Sequence, residues 1–171
     1  MSDQPPADSS DSGFFGRMAD TLKWYVIEEM KKHKWIASKQ AGRDLGRAAI
    51  DEWERRFGWL FCRIRRFEHI QGDFCWFEFE GTDFAVLKNV TVFTELLQEI
   101  VDRMKKVEVI RLKDGREVQR VYDNLEVINW ADSDPKLSRD FEHVLLFLEL
   151  ININSARLEF PASWKDLALA V

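Results

Sequence analysis

Apolar residues recur at helical spacing through the first part of the chain. Their period of three and four residues predicts an amphipathic helix that ends near His33. The apolar positions of this helix are Met18, Leu22, Tyr25, Val26 and Met30. Residues 34–42 continue as a second short helix, which Gly42 is expected to end in a left-handed conformation. Asp44 is then placed to cap the following helix by accepting a hydrogen bond from a first-turn N–H group.

A longer helix is predicted after the corner at residues 42–46. Its apolar positions step alternately by three and four residues, which is typical of a helix that packs along another helix. These positions are Ile50, Trp53, Phe57, Leu60, Ile64 and Phe67. Gly58 weakens the centre of this helix and predicts a kink or a close approach of another segment there. The arginines of the helix mostly lie off the apolar seam, so we expect them at the surface.

At Gly72 the apolar period changes from that of a helix to that of a strand. Within residues 73–81 two sets of side chains alternate, which predicts a half-buried strand. The two sets are Cys75, Phe77, Phe79 and Trp76, Glu78, Glu80. Residues 84–89 are its predicted hairpin partner. A helix is then expected over the apolar residues between Val92 and Met104.

The clearest local pattern in the chain surrounds Asp114 and Gly115. Two β-rich runs at 107–112 and 116–123 flank these residues, which tolerate the positive φ of a tight hairpin turn. A third strand is predicted at 125–130, in meander order with the hairpin.

The end of the chain is predicted to add a helix, a strand and a short final helix. Asp134 opens the first of these, because Pro135 follows it at the first helical position. The apolar residues of this helix are Leu137, Phe141, Val144, Leu145 and Leu148. Residues 156–160 are expected to form a closing strand, and Ser163 is expected to cap the last helix.

Together these elements predict an α+β fold. An N-terminal helical segment with a long amphipathic helix precedes a small, mainly antiparallel sheet with packed helices. A chain of 171 residues is expected to form one domain, here residues 14–171. Residues 1–13 are acidic and rich in serine and proline, without an apolar run, which predicts a disordered tail.

The composition of the chain indicates the cellular compartment in which the protein works. We expect neither a signal peptide nor a membrane span, since the apolar runs are short and Glu149 interrupts one of them. Cys62 and Cys75 are the two cysteines, and a disulfide framework is unnecessary for a chain with so many core-forming residues. The sequence therefore predicts a cytoplasmic protein. Seven Trp and thirteen Phe provide aromatic side chains for burial or recognition.

The net charge of −5 conceals an uneven distribution. Residues 14–72 hold thirteen Lys and Arg against eight Asp and Glu, a net charge of +5. Residues 73–171 hold twelve against nineteen, a net charge of −7, and the tail contributes −3. Such a division could steer nucleic acid, attract the acidic part of the same chain, or orient two copies head to tail.

The stretch from His33 to Trp53 carries a distinct pattern. It runs His33-Lys34-Trp35, then Ser38, then residues 41–46 as Ala-Gly-Arg-Asp-Leu-Gly, then Asp51 and Trp53. This order resembles a short motif of uncharacterised bacterial proteins in which an acidic residue usually follows the serine. Lys39 stands at that position here. The resemblance implies relatedness and a helix-corner-helix shape, and no activity comes with it.

Two interpretations of this stretch are open. As a scaffold, its glycines form the corner, Asp44 caps the next helix, and Trp35 and Trp53 fill the angle between helices, with Arg43 in solvent. As a ligand site, four side chains would converge on an anion at the new helix N-terminus. These are His33, Ser38, Arg43 and Asp44. The scaffold is favoured because the Asp44 carboxylate would occupy the anion position and Ser38 has no partnered base.

No metal, cofactor or catalytic motif is predicted. Cys62, His69 and Cys75 lack the close ligand pairs of a structural zinc site. His143, in an apolar helix, is expected to be a hydrogen-bonded interior or boundary residue. A solvated strand face is expected for four carboxylates, Asp73, Glu78, Glu80 and Asp83. The chain holds no phosphate-binding glycine loop and no nucleophile elbow.

These observations favour a small protein that acts through protein–protein contact, as a homo-oligomer or an accessory subunit. The expected contact surface is the arginine-rich part of the long helix, with Arg55, Arg56, Trp59, Arg63, Arg65 and Arg66. One alternative is that this helix binds nucleic acid, with arginines on phosphates and aromatic rings on bases. Another is an enzyme or small-ligand binder that uses the corner at residues 33–46. The simplest view of the arginines is a solvated face paired with nearby acids.

Overall fold

The structure is a computed structural model, and it describes residues 19–170. Its α-helices are α1 (Leu22–Ala41), α2 (Gly46–Trp53), α3 (Trp59–Gln71), α4 (Thr94–Lys105), α5 (Asn124–Ser133), α6 (Phe141–Ile151) and α7 (Ala162–Leu169). Its strands are β1 (Ala19–Asp20), β2 (Cys75–Trp76), β3 (Val107–Arg111) and β4 (Glu117–Val121). Helices with a small antiparallel ribbon and a short parallel pair confirm the predicted α+β class. The predicted tail at 1–13 lies outside the described residues.

Helix α1 is continuous, so the prediction of two helices that meet near His33 is wrong. Its second half contains neither glycine nor proline, and nothing interrupts the backbone hydrogen bonds. Gly42 ends the helix in the predicted left-handed conformation, with φ +65°. Its N–H donates to the Lys39 carbonyl, which satisfies one of the carbonyl groups left free at the helix end.

The first turn of α1 is held by a carboxylate from a distant part of the chain. Glu78 accepts a hydrogen bond from the Thr21 hydroxyl at 2.6 Å and from the Leu22 N–H at 3.0 Å. A negative charge at this position satisfies a free N–H group and interacts favourably with the positive end of the helix dipole.

We expect Glu78→Gln to lower the free energy of unfolding by about 1–2 kcal/mol, because a neutral amide is a weaker acceptor at a helix N-terminus. Urea unfolding followed by circular dichroism measures the change. Glu80→Gln is the matched control, since Glu80 is exposed and only its backbone carbonyl is bonded to another part of the structure. Equal stability of the two variants would contradict the capping role.

A π-helical turn at Glu54–Gly58 joins α2 to α3. Its extra residue advances every later side chain by about 100° around the helix axis. Ile64 therefore points to solvent with 46% of its surface exposed, whereas Arg63 and Arg66 are buried. The predicted apolar seam is correct at Ile50, Trp53 and Phe67, which are buried, and wrong at Ile64. The expectation that the arginines lie at the surface is wrong for Arg63 and Arg66.

Two clusters of buried apolar residues share α3 as their common wall. The first joins α1, α2 and β2 to the end of the chain, and includes Leu22, Val26, Ile50, Trp53, Cys62, Trp76, Phe160 and Ala168. The second joins α3 to α4, α5 and α6, and includes Phe67, Ile70, Ile100, Met104, Val127, Val144 and Leu148. Gly58 provides the predicted close approach, because a Cβ atom there would lie 3.0 Å from a ring carbon of Phe160.

The strand predicted at residues 73–81 is reduced to β2, which pairs in parallel with β1. The Trp76 N–H donates to Nδ1 of His69, and Phe77 is exposed, so the alternating pattern does not continue along a sheet. Residues 84–89 do not form the predicted hairpin partner. They contain a short 3-10 helix at Val86–Asn89 instead.

The local patterns after residue 90 are confirmed in two places. Helix α4 buries the predicted apolar positions from Leu96 to Met104 in the second core. Val92 and Phe93, also predicted to be helical, precede the helix and are exposed. Strands β3 and β4 form the predicted antiparallel hairpin, in which Val109 lies opposite Gln119. Gly115 in the turn has φ +84°, as the tight turn requires.

The predicted third strand at 125–130 is wrong, because these residues lie in α5. A capping box starts this helix: the Asp123 carboxylate accepts from the Glu126 N–H at 3.1 Å, and the Glu126 carboxylate accepts from the Asp123 N–H at 3.0 Å. The reciprocal bonds satisfy two donors at the helix start, and Val127 and Ala131 pack into the core from the helical face.

Three predictions near the end of the chain are also wrong. Residues 135–139 form turns rather than a first helical turn, and the helix begins at Phe141, because the Asp134 carboxylate accepts from the Lys136 N–H in a local turn. Residues 156–160 are not a strand. Ser163 does not cap α7, since the helix already begins at Ala162 without a side-chain cap.

Candidate functional site

An apolar groove runs between two walls. One wall is α1, and the other is the continuous helical segment from the end of α2 through the π-turn into α3. The groove has a volume of about 320 Å³. The side opposite α1 is apolar and consists of Trp53 at the end of α2, Phe57 in the π-turn, and Leu60, Phe61 and Ile64 in α3. The side towards α1 is mixed and consists of Glu29, Lys32, His33 and Ile36. We call these nine residues the interhelical groove.

The π-turn determines the shape of this groove. A regular helix would have turned Ile64 towards the interior, whereas the shift in phase leaves it at the rim. Ile36 on α1 is exposed on the facing rim, and Leu60 and Phe61 are only half-buried between them. The groove is therefore an apolar surface open to solvent.

Charged groups border one end of the interhelical groove. His33 Nε2 lies 3.5 Å from a Glu52 carboxylate oxygen, and Arg56 donates to the other oxygen at 2.8 Å. The hydrogen bond from Arg56 holds the pKa of Glu52 below its ordinary value, with a smaller contribution from His33. The His33 ring meets the edge of Phe57 at a centroid distance of 5.6 Å.

An aromatic and guanidinium cluster borders the other end. The Arg65 guanidinium lies over the rings of Phe61, Tyr25 and Trp76 at 4.9, 6.0 and 5.5 Å. It also forms an ion pair with Glu68 at 2.5 Å. Arg65 is thus already engaged by its own chain, and the cluster gives the groove a firm boundary.

Next to Phe57 the surface continues towards the β-hairpin. A shallow cleft there is lined by Phe57 and Arg56 on one side and by Val109 and Val118 on the other. Val109 is exposed, and it lies on a ribbon of only two strands. The exposed apolar surface therefore extends beyond the two helices.

The structure does not place the six side chains predicted for an arginine surface on one face. Arg63 and Arg66 are 1% and 0% exposed. Trp59 is half-buried, and the guanidinium groups of Arg63 and Arg157 lie 5.2 and 4.8 Å from the centre of its ring. The prediction of a common exposed surface is wrong because the π-turn rotates part of α3 inward. Exposed positions of this set are Arg55 and Arg56.

The buried arginines connect backbone segments. Arg63 donates through Nε and Nη2 to the Met104 carbonyl, and Nη2 also donates to the Tyr122 carbonyl. Arg66 donates to the Ile151 carbonyl and forms an ion pair with Asp83 at 2.8 Å. Both side chains have a structural explanation in the packing of α3 against the second core.

The corner does not bring its four predicted ligand residues together. The Ser38 hydroxyl accepts from the Leu45 N–H at 3.0 Å, and the Asp44 carboxylate accepts from the N–H of Gly46, the first residue of α2, at 2.9 Å. The N-cap position itself is occupied by Leu45, which provides no side-chain cap, so the prediction that Asp44 caps α2 holds only for this one bond. Arg43 is exposed beside them, whereas His33 lines the interhelical groove instead. Both hydrogen-bonding groups of the corner therefore serve its own backbone.

The two tryptophans of the motif have different roles. Trp53 is buried in the first core, as the scaffold interpretation expects. Trp35 is 62% exposed on α1, so the expectation that it fills the angle between the helices is wrong. Because α1 does not break near His33, Trp35 lies on the outer side of a long helix.

Cys62, His69 and Cys75 do not form a shared site. Within residues 19–170, no group of three or more His, Cys, Asp or Glu side chains could hold a metal ion. Burial in the first core raises the pKa of Cys62 to about 12, which keeps this thiol protonated. His69 uses Nδ1 to accept from the Trp76 N–H and Nε2 to contact the Glu80 carbonyl.

The four carboxylates predicted to share a strand face are separated, because no strand holds them. Glu78 caps α1, Asp83 pairs with Arg66, and Asp73 and Glu80 are exposed. His143 lies in the first turn of α6 and is partly buried, and its ring contacts the ring of Phe93 at a centroid distance of 3.8 Å.

Comparison with known proteins identifies no relative. No protein-family model, no curated protein and no solved structure matches the chain. Among the helices of residues 19–170, none is long and apolar enough to cross a membrane. The interhelical groove was not predicted from the sequence, since its main signal, the π-turn, is visible only in the folded chain.

Proposed function

We propose that this protein acts through protein–protein contact, as an accessory or self-assembling subunit in the cytoplasm. The interhelical groove is the proposed contact surface. The observation that carries the proposal is the exposure of a contiguous apolar surface, from Ile36 across Leu60 and Phe61 to Ile64. Apolar grooves of this kind on soluble proteins mark sites that a partner covers.

The proposed occupant is an amphipathic segment of a partner protein. A groove between two helices accepts apolar side chains that are spaced along one face of a helix or along one side of an extended segment. Lys32, at the rim, makes no ion pair within the described residues, so an acidic side chain on the partner would complement it. A contact of this size is expected to be weak, with a dissociation constant of about micromolar magnitude.

The alternatives have less support. Nucleic-acid binding by the arginine-rich helix would need exposed cations, and Arg63 and Arg66 are buried while Arg56 and Arg65 pair with acids. An enzyme at the corner would need converging polar side chains with free hydrogen-bonding capacity. Ser38 and Asp44 already bond to the backbone, and His33 lies in a different groove.

Ile64→Lys is expected to abolish partner binding while changing the free energy of unfolding by no more than about 0.5 kcal/mol, since the side chain is already half exposed. The measurement is native mass spectrometry of the full-length tagged protein purified from its own cells. Leu125→Lys is the matched control, because Leu125 is 63% exposed on α5 and does not line the groove.

The expected result is a protein partner retained by the wild type and by Leu125→Lys and lost by Ile64→Lys. A photo-crosslinking amino acid at Ile64 should then join the chain to the same partner. Retention of every partner by Ile64→Lys would refute the groove as the contact surface. A co-purifying oligonucleotide in place of protein would favour the nucleic-acid alternative.

A further inference from the structure

The outer side of α1 carries four residues in a symmetric order. They are Trp24, Glu28, Lys31 and Trp35, separated by four, three and four positions. At 100° per residue these positions fall on one narrow stripe of the helix. The buried side of α1, formed by Val26 and its neighbours, faces the opposite direction. The stripe therefore lies on the solvent side of α1, where Trp24, Glu28 and Trp35 are exposed and Lys31 is partly exposed.

Two large aromatic rings are exposed on this stripe. Trp24 is 57% exposed and Trp35 is 62% exposed, although tryptophan is usually well covered in a folded chain. Lys23 and Lys39 lie over the two rings at 4.7 and 4.6 Å, so each ring already has a cation on one face. Exposed tryptophans are common anchors of protein interfaces.

The stripe is complementary to itself when a second copy runs in the opposite direction. With a twofold axis between residues 29 and 30, Trp24 lies opposite Trp35 of the second copy, since both are about 8 Å from the axis along the helix. The same operation places Glu28 opposite Lys31 of the second copy. A twofold axis repeats every contact, so two aromatic pairs and two opposite-charge pairs form together.

The charges of Glu28 and Lys31 disfavour the other orientation. A parallel arrangement would place Glu28 next to Glu28 of the second copy, and Lys31 next to Lys31. Within one chain Glu28 and Lys31 are 3.2 Å apart, so the antiparallel arrangement joins two such pairs into one network of alternating charge. It also places the positive end of each helix dipole beside the negative end of the other.

A groove beside the C-terminal half of the stripe offers space for the incoming ring. It lies along Trp35, Ser38 and Lys39 and reaches Arg43 at the corner. In the antiparallel arrangement Trp24 of the second copy arrives beside Trp35, at this groove. The corner thus gives the helix end a concave border that receives the ring.

We propose that two copies of this protein form a twofold-symmetric homodimer through antiparallel pairing of α1. The occupant of the stripe is a second copy, because the residue order, the charges and the groove all match under one symmetry operation. The interface is small and consists mainly of one helix from each copy. Its dissociation constant is therefore expected in the range of about 1–100 μM.

The test exchanges the charges of the stripe in the full-length protein. We expect Glu28→Lys and Lys31→Glu each to weaken the dimer roughly tenfold, since either change creates two like-charged pairs. An equimolar mixture of the two variants should recover wild-type affinity, because every contact in the mixed dimer then joins opposite charges. Native mass spectrometry, with one variant labelled with ¹⁵N, identifies the mixed dimer by its mass.

A matched control and an orientation measurement accompany this test. Glu99→Lys makes the same change at an exposed position of α4 and should leave the dimer unchanged. A spin label at Gln40→Cys should give a distance of about 30 Å between copies for antiparallel helices and about 10 Å for parallel helices. Cys62 and Cys75 are buried and are not expected to take the label.

A monomeric wild type at about 100 μM would overturn the proposal, whether or not it binds nucleic acid or vesicles. So would a Glu28→Lys dimer as tight as that of the wild type, a mixture that fails to recover wild-type affinity, or the short label distance. Circular dichroism of each variant shows whether it is folded. Ile64→Lys should leave the dimer intact, which separates this proposal from that of the interhelical groove.

Discussion

Arg63→Met is expected to lower the free energy of unfolding by roughly 2–4 kcal/mol. The guanidinium is buried and donates to the Met104 carbonyl in the last turn of α4, at 2.7 Å through Nη2, and to the Tyr122 carbonyl just after β4. Methionine has a similar length but cannot donate, so the buried Met104 carbonyl and the partly buried Tyr122 carbonyl lose this donor.

The charge and the surroundings of Arg63 explain why we expect such a large loss of stability. Burial lowers the pKa of Arg63 to about 10, which still leaves the guanidinium charged at neutral pH. The rings of Trp59 and Phe67 lie 5.2 and 5.8 Å from it and hold it in place. A positive charge at the C-terminal end of α4 also interacts favourably with the helix dipole.

Urea unfolding of the two single variants Arg63→Met and Arg55→Met measures this contribution. Arg55 lies on the same long helix and is exposed, so its substitution should change stability by less than about 0.5 kcal/mol. Arg63→Lys should recover only part of the loss, because one ammonium group cannot reproduce the fork of donors. If Arg63→Met were as stable as Arg55→Met, the buried arginine would not join the two parts of the fold.

The second large effect is a loss of folding stability at acid pH, which we expect to come from His69. Its ring is buried, Nδ1 accepts from the Trp76 N–H at 3.0 Å, and Nε2 therefore carries the hydrogen that faces the Glu80 carbonyl. The neutral ring fits both bonds, whereas protonation at Nδ1 would place a hydrogen against the Trp76 N–H. Burial is the main cause that lowers the pKa of His69, with a smaller contribution from Arg66 in the same direction.

The direction of the pH dependence follows from this lowered pKa. Below pH 6.5, the ordinary pKa of histidine, the unfolded chain binds a proton that the folded chain does not bind. Stability is therefore complete above this pH and decreases as the pH falls towards the folded-state pKa, with a slope approaching about 1.4 kcal/mol per pH unit.

Chemical unfolding at several pH values between 7.5 and about 5 measures the slope. His69→Gln should be less stable at neutral pH by roughly 1–3 kcal/mol, because a backbone group loses its partner, and should lack this part of the slope. His143→Gln is the control, and it should retain the slope of the wild type. A His69→Gln variant with an unchanged slope would show that the acid sensitivity does not come from His69.

Local sequence patterns were sufficient wherever a few neighbouring residues decide the structure. Gly42 ends α1 and Asp114 and Gly115 form the hairpin turn, because only certain residues adopt the backbone angles that these turns need. The apolar period of α4 is read correctly because one side of it faces one core. The same kind of local signal was present but missed at α5, where Asp123 and Glu126 form a capping box.

The predicted strand at 156–160 does not form, and the one at 73–81 is reduced to the two residues of β2, because alternation alone does not supply a pairing partner. Residues 156–160 alternate in polarity, yet Phe160 enters the first core beside Gly58 without a neighbouring strand. Residues 73–81 are similar, since their backbone bonds to His69 and to β1 for only two residues. Strand formation needs a second segment at hydrogen-bonding distance, and its position depends on the whole fold.

The sequence by itself determined the α+β class, the end of α1 at Gly42 and the hairpin turn at Asp114 and Gly115, because helical periodicity and backbone preferences are local. Tertiary structure decided the phase of α3. The π-turn at Glu54–Gly58 buries Arg63 and Arg66 and exposes Ile64, and the interhelical groove exists for this reason. The closeness of Phe160 to Gly58 and the carbonyl groups that Arg63 reaches come from segments distant in the chain, and their arrangement is the result of packing.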